Sequence, residues 1–221
     1  APHSGDFLHA VPISALGTRR DNTTIRIATA LRLGAPICAP HKCVCGQEVN
    51  KWGTHGLSCK KSAGRYARHA AVNDVIKRAL TSAKVPSTLE PNHVFRDDNK
   101  RPDGMTLMPW KDGKPAVWDF TCSDTLATSY LDVALRGPGE VASRAEERKI
   151  TKYSKLPRMY CFIPVGVETL GALGTEATIF LSDIGDLIAK ETQEPRSKSF
   201  LMQRVSVAIQ RGNAISVMST S

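Results

Sequence analysis

Two carboxylates stand with fifteen residues between them, Asp103 in "KRPDG" and Asp119 in "AVWDFT", in a chain whose formal net charge is +9. Held close together, they repel unless a cation lies between them. Magnesium, or manganese in its place, suits such a pair: a hard ion takes a few carboxylate oxygens, keeps waters and binds phosphate. An ion so held activates water and neutralises the charge that develops on a phosphate under attack. Asp103 also reads as a plain turn residue, because "RPDG" is a good turn sequence. Asp119 interrupts an apolar run and is costly to bury without a partner.

A second group of ligand-type residues lies upstream. Cys43, Cys45, His55 and Cys59 have the spacing C-x-C-x9-H-x3-C. Zinc takes four soft or borderline ligands in a tetrahedron, and two close pairs joined by a short loop meet that need. Gly46, Gly53 and Gly56 supply backbone freedom for a loop that folds back around an ion. Four protein ligands leave no exchangeable position, so the expected role is structural. Cys38, His41 and His69 lie near enough in sequence to substitute for one of the four. The plainer account is buried free thiols and a surface histidine.

The chain has 221 residues, enough for one α/β domain with a smaller appendage, and its composition is ordinary for a globular protein, 41% hydrophobic and 23% charged. No run of about eighteen apolar residues occurs, so no membrane span is encoded. The sequence begins with Ala and carries no basic-then-apolar leader, which reads as part of a longer polypeptide. Six cysteines without a leader read as reduced and intracellular. The positive charge is concentrated: from His41 to Thr81 there are eight basic residues against two acidic ones. Such a surface gathers polyanions, and nucleic acid heads the partner classes.

The elements that must position these groups follow from periodicity. Residues 1–20 read as an extended lead-in, and "DNTTIRIATALRLG" as a short helix capped by Asp21 or Asn22 and stopped at Gly34. "RYARHAAVNDVIKRALTSAKV" is an amphipathic helix with Val72, Val75, Ile76, Ala79 and Leu80 on its apolar stripe and Arg65, Arg68, Lys77 and Arg78 outside it. "NHVFR", "GMTLMP" and "PAVWDFTC" read as short strands, the last two joined through a turn at "KDGK". The predicted hairpin carries Asp103 at its entry and Asp119 near its exit. A helix over 142–153, an apolar strand in "RMYCFIPVGVE" and two further helices complete the chain.

Taken in order, these residues resemble a known family. "RPD" followed after fifteen residues by "D" is similar to the PD-(D/E)XK nuclease motif, although Thr121 stands where that motif has its lysine. The restriction-enzyme-like endonuclease domain of site-specific non-LTR retrotransposons shares more. It has a CCHC zinc cluster, a basic "RH" helix, (K/R)PD with a second acid, and a lysine moved to a downstream helix followed by "KY". Cys43 to Cys59, Arg68-His69, Arg101-Pro102-Asp103 with Asp119, and Lys149 with Lys152-Tyr153 match in that order, over roughly residues 38–155.

The resemblance implies a three-layer restriction-endonuclease-like α/β core, with a mixed sheet flanked by helices, behind a small zinc module. Residues 1–37 would be the linker from a reverse transcriptase region, 38–64 the zinc module and 65–221 the endonuclease domain. Asp103 and Asp119 would hold Mg²⁺ or Mn²⁺, with Asp74 as a further acid and Asn73 and Glu90 as other groups near the ion. Lys149 or Lys152 would orient or deprotonate water, with Tyr153 beside them, while Lys60, Lys61, Arg65, Arg68, His69 and Arg101 would meet the DNA. The plainer account of the lysines is a solvated helix face on which Glu146 pairs with Lys149. The implied activity is nicking of double-stranded target DNA to prime reverse transcription. It would be carried out in the nucleus by part of a larger polypeptide that also meets the element's RNA. Two alternatives stay open: a non-catalytic zinc-stabilised nucleic-acid-binding module, and a nuclease of the Holliday-junction-resolvase kind.

Overall fold

The structure, a computed structural model, describes residues 2–92, 94 and 101–221. Along the chain these form α1 (Asp6–His9), α2 (Asn22–Leu33), β1 (His41–Lys42), β2 (Glu48–Val49), α3 (His55–Ser58), α4 (Gly64–Ser82), β3 (Ser87–Leu89), β4 (Gly104–Thr106), β5 (Ala116–Ser123), α5 (Leu131–Ala134), α6 (Glu140–Lys152), β6 (Cys161–Glu168), α7 (Thr175–Thr192) and α8 (Ser197–Met218). The fold is mixed α/β. A four-stranded sheet has the order β3-β4-β5-β6, antiparallel except for the β5–β6 pair, which is parallel over all eight residues of each strand. A parallel pair needs a long crossover, and α6 supplies it.

The two-residue repeat of β5 sorts its side chains. Ala116, Trp118 and Phe120 enter one core with Ile163, Val165 and Val167 of β6, Val72, Ile76 and Leu80 of α4, Phe180, Leu181 and Ile184 of α7, and Leu201, Val205 and Ile209 of α8. Asp119 and Thr121 therefore face the opposite side, where α6 lies. There α6 comes close to Gly166, at which a Cβ would sit 2.7 Å from the Ala142 carbonyl oxygen.

Local signals explain several boundaries. Asp21 caps α2 by accepting the Thr24 amide at 2.8 Å, and Gly34, at φ +63°, ends that helix. Within the predicted "KDGK" turn, Asp112 and Gly113 both have positive φ, and Lys111 and Lys114 pair across it. Phe7 of α1 is buried with Ala10, Ala28 and Val207, so the expected lead-in contributes to the core. Strand β3 was not expected. Of the predicted strand "NHVFR", His93, Phe95 and Arg96 lie outside the described residues. Ile27 and Leu31 of α2, Ile37, Leu57 of α3, and Ala214 and Val217 of α8 form one further cluster. Among the described residues no helix is long and apolar enough to cross a membrane.

Glu146 does not pair with Lys149. It is only 2% exposed and accepts the amides of Gly166 at 3.0 Å, Ala177 at 2.9 Å and Glu176 at 3.1 Å. One carboxylate thus ties α6 to β6 and caps α7, whose N-terminal amides have no partner within their own helix. Glu168 does the same for α6 through the Val141 amide. Burial pushes the Glu146 carboxyl above the ordinary glutamate value, and the three amides oppose that rise. With the folded value above the unfolded one, this group's contribution is fully present below the unfolded glutamate pKa and is lost as pH rises through the folded value. Glu146→Ala should cost roughly 2–4 kcal/mol in urea unfolding, since it leaves buried donors without acceptors. Against Glu146→Gln, the native chain's margin of stability should shrink as pH climbs out of the glutamate range; a flat margin would show that burial does not govern this carboxyl.

Candidate metal centre and carboxylate site

The Cys/His group closes as the spacing predicts. The hairpin β1–β2 presents Cys43 and Cys45, with Gly46 at φ +91° making the turn and the Cys43 amide bonded to the Gln47 carbonyl at 2.8 Å. The one-turn helix α3 begins with His55, and Cys59 follows it. The four ligand atoms all lie within 4.8 Å of one another. Cys43 Sγ and Cys59 Sγ are 3.8 Å apart, and Cys45 Sγ is 3.2 Å from His55 Nε2. Tetrahedral zinc with Zn–S bonds of about 2.3 Å sets its sulfurs roughly 3.8 Å apart, so this donor set fits zinc. The Cys45 thiol is held down at about 7, chiefly by the Gln47 amide, whereas burial raises that of Cys59.

The three substitutes are engaged elsewhere. Cys38 Sγ reaches the Asn50 carbonyl, His41 lies between Ala39 O and Thr220 Oγ1, and His69 contacts Asp103. The cluster is also seated firmly on α8: a Cβ on Gly56 would sit 2.5 Å from Ser216 O, and one on Gly64 2.3 Å from Ser216 N.

At the sheet, Asp119 is nearly inaccessible, its side chain 5% exposed, and both of its oxygens are bonded from α6 and the residue after it. Lys149 Nζ donates to Oδ1 and the Tyr153 hydroxyl to Oδ2. The tyrosine ring stacks on Phe162 with centroids 4.4 Å apart, which fixes the hydroxyl. Asp103 precedes β4 and stands at the edge of β5, where its Oδ2 accepts the Phe120 amide at 2.6 Å and His69 Nε2 at 3.0 Å.

A chain of hydrogen bonds orients that histidine. Trp118 Nε1 donates to Asn73 Oδ1 at 3.0 Å, so the Asn73 amide nitrogen faces His69 Nδ1 at 3.3 Å and leaves Nε2 as the protonated atom toward Asp103. Asp103 raises the imidazole above its ordinary value, with partial burial opposing. Gly104 is required here, since a Cβ would lie 2.0 Å from the Trp118 ring.

The predicted residues thus separate into groups. Asp103, Asp119, Lys149, Tyr153 and His69 converge. Lys152 does not reach Asp119; its ammonium lies 4.9 Å from the Tyr153 ring centroid. Asp74 pairs with Arg78 at 2.8 Å and lines a groove with Arg204 and Arg211 that holds none of the convergent residues. Arg101 pairs with Glu90 at 3.1 Å, beside Asp103. Lys60, Lys61 and Arg65 are exposed. Arg68 departs from the helix charge pattern: it is 3% exposed and bonded to Asn213 Oδ1 at 2.6 Å. From the sequence, His69 is expected to meet DNA or to substitute as a zinc ligand, and Trp118 has no expected role; only the i, i+4 spacing of His69 and Asn73 hints at the network.

Among the described residues, three or more metal-ligating side chains converge only at the Cys/His group. No protein-family model matches this chain, and no curated protein matches it.

The purified chain should carry zinc, and Cys43→Ser should lower that content sharply. Stripping the metal should raise amide exchange over residues 38–62 while the β5–β6 pair stays protected. Unchanged exchange over 38–62 would show that the segment holds its shape without an ion.

Proposed function

We propose that this chain is a metal-dependent DNA endonuclease of the restriction-enzyme-like kind found in site-specific non-LTR retrotransposons, with the zinc cluster as a structural element. The observation that carries the reading is the ion pair between Lys149 and Asp119. The motif's lysine position holds Thr121, yet a lysine from α6 reaches the second carboxylate, as the relocated lysine of that family would.

Asp103 and Asp119 supply hard oxygen donors, the donor chemistry of magnesium or manganese, and these two residues would hold the ion. When bound, it would supply an activated water and charge neutralisation at the phosphate. In this reading Lys149 would leave Asp119, give up its ammonium proton to solvent and, as the free amine, orient the attacking water and take its proton. Tyr153 keeps the Asp119 carboxylate in place, and His69, held by Asn73, does the same for Asp103. Water adds to phosphorus, the bond to the 3′ oxygen breaks, and that oxygen takes a proton to leave a 3′ hydroxyl able to prime reverse transcription. Lys60, Lys61 and Arg65 would grip the backbone of the duplex, a contact that weakens with salt. The family reading carries with it a nuclear site of action and a reverse transcriptase in the same polypeptide.

One observation favours the other reading, a non-catalytic binding module. Both oxygens of Asp119 are already engaged by Lys149 and Tyr153, and such a fully paired carboxylate can be structural.

Supercoiled plasmid separates the two. With Mg²⁺ or Mn²⁺ the chain should nick it, and with EDTA it should not. Asp119→Asn should abolish the nicking, and Lys149→Ala should slow it about 10²–10⁴-fold, the usual worth of a positioned proton-transfer group. Plasmid that stays intact under all these conditions, yet is bound by the native chain and both variants, would sink the nuclease.

A further inference from the structure

Beside the carboxylates is a pocket of about 310 Å³, the size of a small-ligand site, between the start of α4 and the end of β5. Three of its eight lining residues are Lys60, Arg65 and Arg68, and none is acidic, so it favours an anion. His69 and Phe120 form the wall it shares with the carboxylates: their rings meet edge to face at 5.6 Å, and His69 Nε2 is the atom bonded to Asp103. At the floor lies Arg68, whose buried Nε has no hydrogen-bond partner among the described residues. Enclosed against Asn213, that guanidinium acts on an anion in the pocket through its charge rather than by contact.

The mouth adds a different chemistry. Tyr66 lines the pocket and is 79% exposed, an aromatic face left in solvent one turn from His69 on α4. At that exposure it contributes little to packing. An exposed aromatic ring beside cations is what a nucleobase stacks on. A base stacked on this ring has left the stack of its own helix.

We propose that this pocket takes one unpaired nucleotide of the DNA strand being cut, its phosphate on the exposed Arg65 and Lys60, with the buried charge of Arg68 behind them, and its base against Tyr66. The proposal rests on the DNA reading above and adds the substrate class: DNA with an unpaired or easily unstacked nucleotide beside the scissile phosphate. Because taking a base out of a paired stack is costly, mismatched, bulged or gapped sites bind better than continuous duplex. Lys60 follows the ligand Cys59 directly, so the zinc cluster sets one side of the pocket.

The test measures binding with no added divalent ion, so that cleavage plays no part. Two fluorescent duplexes of the same sequence are compared by anisotropy, one fully paired and one with a single bulged 2-aminopurine. The native chain should bind the bulged duplex more tightly and quench its 2-aminopurine. Tyr66→Ala should remove that preference, a loss of roughly 5- to 100-fold on the bulged duplex given the usual worth of base–aromatic stacking, with the paired duplex little changed. Tyr66→Phe should keep the preference. Equal affinity for the two duplexes, a preference that survives Tyr66→Ala, or the same Tyr66-dependent gain on RNA of that sequence would each overturn the proposal. If plasmid is never cut while the Tyr66-dependent preference holds, the nuclease reading falls and the pocket stands. If plasmid is cut but Tyr66→Ala binds both duplexes as the native chain does, the reverse follows.

Discussion

Burying the charge of Asp119 in the middle of the sheet is the constraint around which the site is built. A carboxylate in that position is strongly disfavoured unless a cation and hydrogen-bond donors meet it. Both come from one place: α6 brings Lys149, and the residue that ends it brings Tyr153. That requirement fixes the rotation of α6 over β5, and the rotation in turn aims Glu146, one turn away, at β6 and the start of α7, whose amides it receives. One helix thereby carries a carboxylate's partner on one part of its surface and a carboxylate in need of partners on another.

The opposite face depends on packing rather than charge. Helix α8 lies against α1, α2, α3, α4 and α7, and its contacts are close enough that Gly56, Gly64 and Gly212 have no room for a side chain. Gly212 is where the aliphatic part of Arg68 crosses, 2.3 Å from a Cβ placed there. The guanidinium then bonds Asn213, which bonds Thr169 O at 2.6 Å. Through α4 this frame sets the positions of His69 and Asn73, and so of Asp103. The Cys/His cluster and Asp103, distinct in chemistry, are held in place by the same two helices.

Much of this was legible in the chain. The zinc spacing, the Asp21 cap, the "KDGK" turn, the α4 stripe and the α6 helix each rest on a short-range pattern, and short-range patterns survive folding because they are set by local geometry. Arg68 shows the limit. Its charge and helical position predict a solvated cation, but α8, more than a hundred residues away in sequence, presents Gly212 and Asn213 to it and the side chain is enclosed. Glu146 fails in the same way, since an i, i+3 lysine was a ready local partner and the real partners are amides of two other elements.

By itself, then, the sequence determined which chemistry was present: a soft four-ligand set, two acids in a hairpin, two candidate lysines and a concentration of positive charge. Residue type and local spacing suffice for that. Only the tertiary structure decided that Lys149 and not Lys152 meets Asp119, that Asp74 stays away, that His69 joins Asp103, and that Tyr66 is left facing solvent above Arg68. Those outcomes depend on how helices rotate and cross over the sheet. That rotation is set by the summed burial of residues distant in sequence, and no local spacing records it.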